Sequence, residues 1–320
     1  MGALSLAVTG ATGYLGRAVV STARARGHRV RALVRDAARV PADWAHDAGI
    51  VVQVAPLEDL APDVLSGVDA VLHLAAAMDG DHAAQEAGTL APMRAVLAAM
   101  ARCEQVPALV LAGSISVYGG MRPQDTVTEA TPLEPHPAAR DAYTRAKLAQ
   151  ERLARDHAAA TGGAVAILRI GAIWGPGRLW NGHLGISTGP LLVRMGSGGQ
   201  IPLAHVGRAA AAVVAAATVQ GVQVANVLDS DLPDRARYVA ALRRGGWPRL
   251  VLPLGWPVMR ALSVVGALPG MPGLLRAPVQ AARIMPLRYA ARRDWPVSLP
   301  DLSFDDAMRA ALRGEGQTHD

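Results

Sequence analysis

The stretch that most constrains this chain is Thr9-Gly10-Ala11-Thr12-Gly13-Tyr14-Leu15-Gly16. A short apolar run, Leu4-Ser5-Leu6-Ala7-Val8, precedes it, and Arg17-Ala18-Val19-Val20 follows. The order reads strand, glycine turn, helix. Glycine permits unusual dihedrals in such a turn and lets a diphosphate approach the backbone. The helix N-terminus behind it offers free N–H groups and a partial positive charge to the same anion. A glycine triplet alone specifies little. In a strand–turn–helix context it points to a dinucleotide site built from Gly10, Thr12, Gly13, Tyr14, Leu15 and Gly16.

The chain downstream repeats the alternation such a turn needs. Apolar strands are expected at 29–35, 50–54, 68–76, 108–113, 164–170 and 222–227, and helices at 57–65, 84–103, 142–160 and 208–219. Strands alternating with helices over short links give an α/β fold, a Rossmann-type doubly wound parallel sheet. Ligands of such sheets bind beyond the carboxyl ends of the strands. Leu74, Ala75 and Ala76 end the fourth strand, where small residues allow a cofactor to come close. His73, inside that strand, reads as a satisfied core residue. Residues 120–140 read as a surface loop. After 170 the alternation stops, and 171–199 reads as glycine-rich and irregular. The expected division is a dinucleotide-binding part, 1–170 with a return segment at about 204–228, and a smaller C-terminal substrate-binding region, 171–203 with 229–320.

Composition narrows the class. With 51% hydrophobic residues in 320, a full core is available. The net charge of +6 comes from scattered arginines, and one Phe leaves few aromatics for a nucleic-acid surface, so no nucleic-acid partner is expected. The single Cys103 excludes an internal disulfide and suits a reducing compartment. With no secretory signal read at the start, that compartment is expected to be the cytoplasm. Residues 250–275 are apolar, yet Pro253, Pro257, Arg260, Pro269 and Pro272 interrupt them. A spanning helix needs about 20 uninterrupted apolar residues, so a lid or a surface-bound helix is expected instead. No metal site is expected.

Tyr143 and Lys147 are four apart at the start of a predicted helix, so their side chains share a face. They follow Ser114, at the end of the fifth strand. Tyrosine, with a reference pKa of about 10, is a poor acid–base at neutral pH; a neighbouring ammonium favours its phenolate. Lys147 can supply that charge and also hold the nicotinamide ribose. Ser114 can hold a carbonyl or alcohol oxygen beside the nicotinamide. The end of the second strand bears on the cofactor. An acid there would bind ribose hydroxyls of NAD; here Val34 is followed by Arg35, with Arg39 further on, a chemistry that favours the 2′-phosphate of NADP while leaving NAD possible. Ser116, Trp174, Trp180 and His183 are the candidate substrate contacts.

The segments Thr9–Gly16, His73–Ala76, Ser114–Gly119, Tyr143–Lys147, Leu168–Gly177 and His205-Val206 together resemble the extended short-chain dehydrogenase/reductases of the NAD-dependent epimerase/dehydratase superfamily. The resemblance implies that Ser114, Tyr143 and Lys147 form the catalytic triad, and that a homodimer forms through helices near 89–103 and 142–160. Ile115 and Ser116 replace the acidic pair of sugar dehydratases, Ala172 replaces an asparagine usual in nucleotide-sugar epimerases, and Gln85 replaces an asparagine of the proton relay. Gly207 and Arg208 stand where acids usually follow His205-Val206. The pattern is most similar to the branch with dihydroflavonol reductases and 3β-hydroxysteroid dehydrogenases. The expected activity is hydride transfer between NADP(H) and a carbonyl or secondary alcohol of an apolar small molecule. A nucleotide-sugar epimerase or reductase, clamping a pyrophosphate with Arg208, Arg235, Arg292 and Arg293, is the first alternative. An NADP-binding protein without catalysis is the second.

Overall fold

The structure, a computed structural model, describes residues 2–265, 283–291, 299 and 301–316. Seven strands form one sheet: β1 (Ser5–Thr9), β2 (Arg29–Val34), β3 (Ile50–Val54), β4 (Ala70–His73), β5 (Ala108–Ser114), β6 (Val165–Ile170) and β7 (Val222–Val227). Their spatial order is 3-2-1-4-5-6-7, and every pairing is parallel. The central strands β4, β5 and β6 read as nearly unbroken apolar runs and are buried along almost their whole length. That is the pattern of a parallel sheet covered on both faces.

Helices α1 (Tyr14–Ala25), α2 (Ala91–Met100), α3 (Ala142–Thr161) and α4 (Val206–Ala215) provide the cover. Val19, Val20 and Ala23 of α1 share one core with Ala209, Ala210 and Val213 of α4. Met93 and Val96 of α2 share the opposite core with Ala154 and Ala158 of α3. Strand order reverses between β1 and β4, so the crevice opens beyond their carboxyl ends. Thr9 and His73 stand at those two ends. The Thr9 hydroxyl accepts from Leu74 N (3.1 Å) and Ala75 N (3.2 Å) and lies 3.1 Å from His73 Nδ1. With its lone pairs taken by the two amides, the hydroxyl donates to Nδ1. His73 is therefore a core residue held at Nδ1, but its buried Nε2 has no partner among the described residues, so it is not the satisfied histidine expected; burial holds its pKa down to about 3.

A third core gathers Trp174, Leu184, Leu192, Leu203, Tyr238 and Phe304. It joins α5 (Arg235–Arg243) to α7 (Phe304–Gly316); α6 (Trp256–Val265) lies between them in sequence.

Four local expectations change. Residues 57–65 form two 3₁₀ turns, Leu57–Asp59 and Pro62–Leu65, because Pro62 has no N–H to continue a helix. The helix around 84–103 runs as His82–Gln85, a π-helical turn Glu86–Leu90, and α2; Pro92 at its start removes one donor. The stretch after 170 is not irregular: Ala172–Trp174 pairs with Leu203–His205, and Leu191–Met195 is flanked by Gly185–Thr188 and Leu250–Leu254. The 120–140 segment is not simply surface, since Thr126–Val127 pairs with Arg288–Tyr289 and Val127 is buried. No described helix is long and apolar enough to cross a membrane. Of the 250–275 stretch, the part after Val265 lies outside the described residues.

Candidate active site

Beyond the carboxyl ends of β1, β4 and β5 lies a single cleft of about 880 Å³. Gly10 opens it with φ +66°, and a Cβ there would stand 2.9 Å from Ala75 N. A Cβ on Gly16 would collide with the Gly10 and Ala11 carbonyl oxygens. The first requirement is conformational and the second is closeness, as the glycine spacing implied. Gly13 caps α1 without a side-chain hydrogen bond, and the first turn of α1 carries no acid. The N-terminal field of α1 is therefore uncancelled where the cleft begins. Tyr14 donates to Pro176 O at 2.9 Å, and the Arg178 guanidinium lies 5.6 Å from its ring centre, tying the glycine turn to the segment after β6.

The lining brings together residues far apart in sequence. Gly10, Thr12, Gly13, Tyr14, Leu15 and Gly16 meet Leu74, Ala75 and Ala76 along one wall, with Arg35 at the β2 end. Ser114, Tyr143 and Lys147 face the same space, and Ser116, Trp180 and His183 border it further on. Trp174 does not. It is fully buried in the third core, donates from Nε1 to Asp229 Oδ2 at 2.7 Å, and packs on Phe304 at 5.3 Å. Its aromatic bulk fills a core rather than meeting a substrate.

Ser114 closes β5 and caps the turn Ile115–Val117, accepting from Ser116 N at 3.2 Å. Tyr143 is its neighbour in the cleft, near enough for the serine to favour the phenolate by hydrogen bonding. Tyr143 stands in the first turn of α3, which Asp141 caps by accepting from Thr144 N at 2.8 Å. Burial raises the phenol pKa; the Ser114 bond opposes that rise, Asp141 adds to it, and Arg178 and Arg283 also oppose it. Lys147 Nζ lies over the Tyr143 ring, 5.7 Å from its centre, and does not figure among the groups that shift the phenol. The acidifying influence expected from Lys147 thus comes, in this geometry, from Ser114 and the two arginines. Lys147 itself is 5% exposed and donates to Ala112 O (2.8 Å) and Gln150 Oε1 (3.0 Å). Burial draws its pKa down to about 8, against the raising effect of Glu151.

Beneath the site, Arg169 of β6 donates twice to Glu151 of α3, both at 2.9 Å, in a pair almost entirely withdrawn from solvent. The same guanidinium stacks 4.8 Å from the Tyr118 ring centre, and Tyr118 donates to Asn226 Oδ1 at 2.6 Å. Gln85 does not reach the lysine. It donates to Ala77 O and Asp79 O at 3.2 and 3.0 Å and accepts from Thr89 at 3.0 Å, securing the loop after β4. His183 Nδ1 lies 3.1 Å from Arg283 O, so Nδ1 carries the proton. Burial and Arg235 lower the His183 pKa to about 4.

Several lining residues escaped sequence reasoning: Asp36, Arg178, Asn181, Met121 and Tyr289. Asp36 and Arg178 adjoin motifs that were read, and adjacency alone could have suggested them. Tyr289 reaches the cleft through the pairing of two short strands that carries no local signal, and Met121 packs in the cluster beside it. Among the described residues, no group of His, Cys, Asp or Glu side chains is arranged to hold a metal.

This geometry has known counterparts. A family model described as the NAD dependent epimerase/dehydratase family matches residues 6–227. A 3-diazoavenalumate denitrifying reductase from a Streptomyces species is 33% identical over 283 residues, covering 80% of this chain and 89% of the relative. A 4-hydroxy-2-methyl-3-oxo-4-farnesyl-3,4-dihydroquinoline-1-oxide ketoreductase from Stigmatella aurantiaca is 33% identical over 174 residues, 52% of this chain and 50% of the relative. Among solved structures, MoeE5 in complex with UDP-glucose and NAD superposes with a TM-score of 0.71 at 21% identity, covering 99% of this chain and 100% of that one. A UDP-N-acetylglucosamine 4-epimerase from Methanobrevibacter ruminantium gives 0.74 at 16% identity, with 99% and 100% covered. The family match and the reductase-named relatives indicate an NAD(P)-dependent oxidoreductase of the extended short-chain dehydrogenase/reductase type. The chain belongs to the NAD-dependent epimerase/dehydratase family.

Proposed function

We propose that the protein reduces a carbonyl of an apolar small molecule, or oxidises the corresponding secondary alcohol, with NADP(H), and that Ser114, Tyr143 and Lys147 are its catalytic residues. The observation that carries this reading is that Ser114, Tyr143 and Lys147 face the same cleft as the glycine turn, with Nζ over the Tyr143 ring.

The cofactor fits the residues present. Gly10 and Gly16 leave room only for backbone, and the uncapped α1 N-terminus offers N–H groups to a diphosphate. The nicotinamide supplies the hydride. Ser114 fixes the substrate oxygen, and Tyr143, held protonated by burial, gives its proton to that oxygen as charge develops on it. Lys147 holds the ribose side of the cleft with the N–H that Ala112 and Gln150 leave over. Arg35 and Arg39 line the β2 end, while Asp36, the acid that might serve NAD there, accepts from Ala38 N at 2.9 Å. These features favour NADP over NAD.

The substrate end is lined by Ile115, Met121, Val127 and Trp180, which suits an apolar molecule. Ser116, with its buried Oγ unpartnered among the described residues, and His183 offer polar contacts there. The pyrophosphate clamp that a nucleotide-sugar epimerase needs loses two of its candidates. Arg235 is buried and donates to His183 O, Gly198 O and Arg283 O, and Arg208 donates to Leu228 O. Arg292 and Arg293 lie outside the described residues. The reductase and ketoreductase names of the two relatives agree with this choice. A homodimer through the outer faces of α2 and α3, and residence in the cytoplasm, complete the proposal; light scattering of the purified protein tests the former.

The deciding experiment follows NADPH absorbance with a panel of apolar ketones and aldehydes, against NADH and against nucleotide sugars. Turnover of apolar carbonyls with a higher kcat/KM for NADPH, reversed toward NADH by Arg35→Asp, is expected. Interconversion of a nucleotide sugar without net oxidation of NADPH would replace this reading by the epimerase one.

A further inference from the structure

Lys147 is the only lysine in the sequence; every other basic chain is arginine or histidine. Among the described residues it is a deeply buried cation with no acid bonded to it. Its ammonium is buried, whereas the other deeply buried cations, such as Arg169 with Glu151, hold an acid or several carbonyls. An ammonium in such a place stays charged only through what bonds it. Two acceptors do so: the Ala112 carbonyl on β5 and the Gln150 amide oxygen, one turn further along α3.

Gln150 is fully buried, and its amide nitrogen has no partner among the described residues. Packing alone gives no reason for an amide there, since an apolar side chain of similar length would avoid the unpaired N–H groups. An ammonium has only donors, so the amide must turn its oxygen to Nζ. The orientation is set by Lys147, and the cost is borne by the nitrogen. The i, i+3 spacing places both side chains on one helix face.

No other described side chain bonds Nζ, although Glu151 also favours its charge without bonding it. On α3, Tyr143 is a neutral phenol and Glu151 is engaged with Arg169 of β6. From β4, His73 is neutral and buried; from β5 come only the Ala112 carbonyl and the Ser114 hydroxyl. From the helical segment before α2, Gln85 and Thr89 bond each other and the loop after β4. Resting on the catalytic assignment above, we infer that Gln150 is a positioning residue that holds Lys147 charged and fixed beneath the Tyr143 ring through its amide oxygen. It thereby sets the upper pH limit of the reaction.

The single lysine makes the inference measurable without substrate or cofactor. Protein grown on isotope-labelled lysine gives one Cε resonance, whose shift against pH reports Nζ directly. Gln150→Met keeps the volume and removes the acceptor; Gln150→Glu keeps an acceptor and adds charge. The Nζ titration is expected to fall by about one pH unit in Gln150→Met and to rise by about one in Gln150→Glu. The basic limb of kcat against pH should move with it in both. Unmoved Nζ titration in either folded variant overturns the inference, and Gln150→Glu decides alone if Gln150→Met does not fold. A protein that reduces no carbonyl would instead sink the catalytic reading and leave the resonance titration to stand by itself.

Discussion

The buried pair under the site offers the sharpest energetic test. Glu151 and Arg169 have side chains only 2% and 4% exposed and share two bonds of 2.9 Å. Glu151→Gln preserves shape and one acceptor oxygen. The other oxygen becomes an NH₂ facing an Arg169 N–H, and the guanidinium loses its counter-charge away from water. Breaking one side of a buried pair costs about 3–5 kcal/mol, and the retained bond places this substitution near the lower figure, about 3 kcal/mol. In a chain of this size that is a loss of roughly 4–5 °C in Tm. Replacing both partners, Glu151→Leu with Arg169→Met, removes the stranded charge and should recover most of the loss. Urea unfolding, followed by tryptophan fluorescence, gives the four corners of the cycle. A coupling energy below about 1 kcal/mol would refute the reasoning, because it would mean that the guanidinium finds equivalent stabilisation without the carboxylate. The same substitution removes a charge that raises the Lys147 pKa, so the basic limb of the pH profile should move toward lower pH.

Three further outcomes are expected. Tyr143→Phe should lower kcat by about 10²–10⁴ while calorimetric NADPH affinity is almost unchanged, since only the proton donor is removed. Gly10→Val should abolish NADPH binding in a folded protein: the backbone there sits at φ +66°, and the new Cβ would meet Ala75 N at 2.9 Å, as calorimetry beside circular dichroism would show. Stability should decline in acid before carboxylates titrate. His183 takes a proton near pH 6.5 when unfolded but only near 4 when folded, so its contribution is complete above 6.5 and is lost as pH falls toward 4. Urea midpoints against pH should show that loss, and His183→Asn should reduce it.

The parallel α/β alternation and the backbone demands of the glycine turn were legible because they rest on local signals. Gly10 and Gly16 announce backbone constraints, and the apolar runs of β4 to β6 announce burial on both faces. Tyr143 and Lys147 could be placed on one face by helix period alone. What escaped depends on long-range packing. Trp174 looked like a substrate contact because aromatic residues in a loop often are; only the position of Asp229 and Phe304 shows it to be core. The strand at Thr126–Val127 exists because Arg288–Tyr289 comes beside it, and a two-residue pairing leaves no periodicity to read. Gln150 was invisible for the opposite reason: on a helix face a glutamine reads as solvated, and its burial depends on how α3 meets β5.

The use of a lone lysine has a practical consequence. Amine-directed reagents, such as aldehydes with a mild reductant or activated esters, find no other side-chain amine on this molecule. Because Nζ has a pKa near 8, a substantial fraction is a free nucleophile in mildly alkaline buffer. Beside the α-amino group, side-chain capture therefore converges on the cleft that Lys147 lines, and a bound nucleotide should shield it. Immobilisation or cross-linking through side-chain amines can act only at Lys147, and the dye label lost when nucleotide is added would count the occupied clefts.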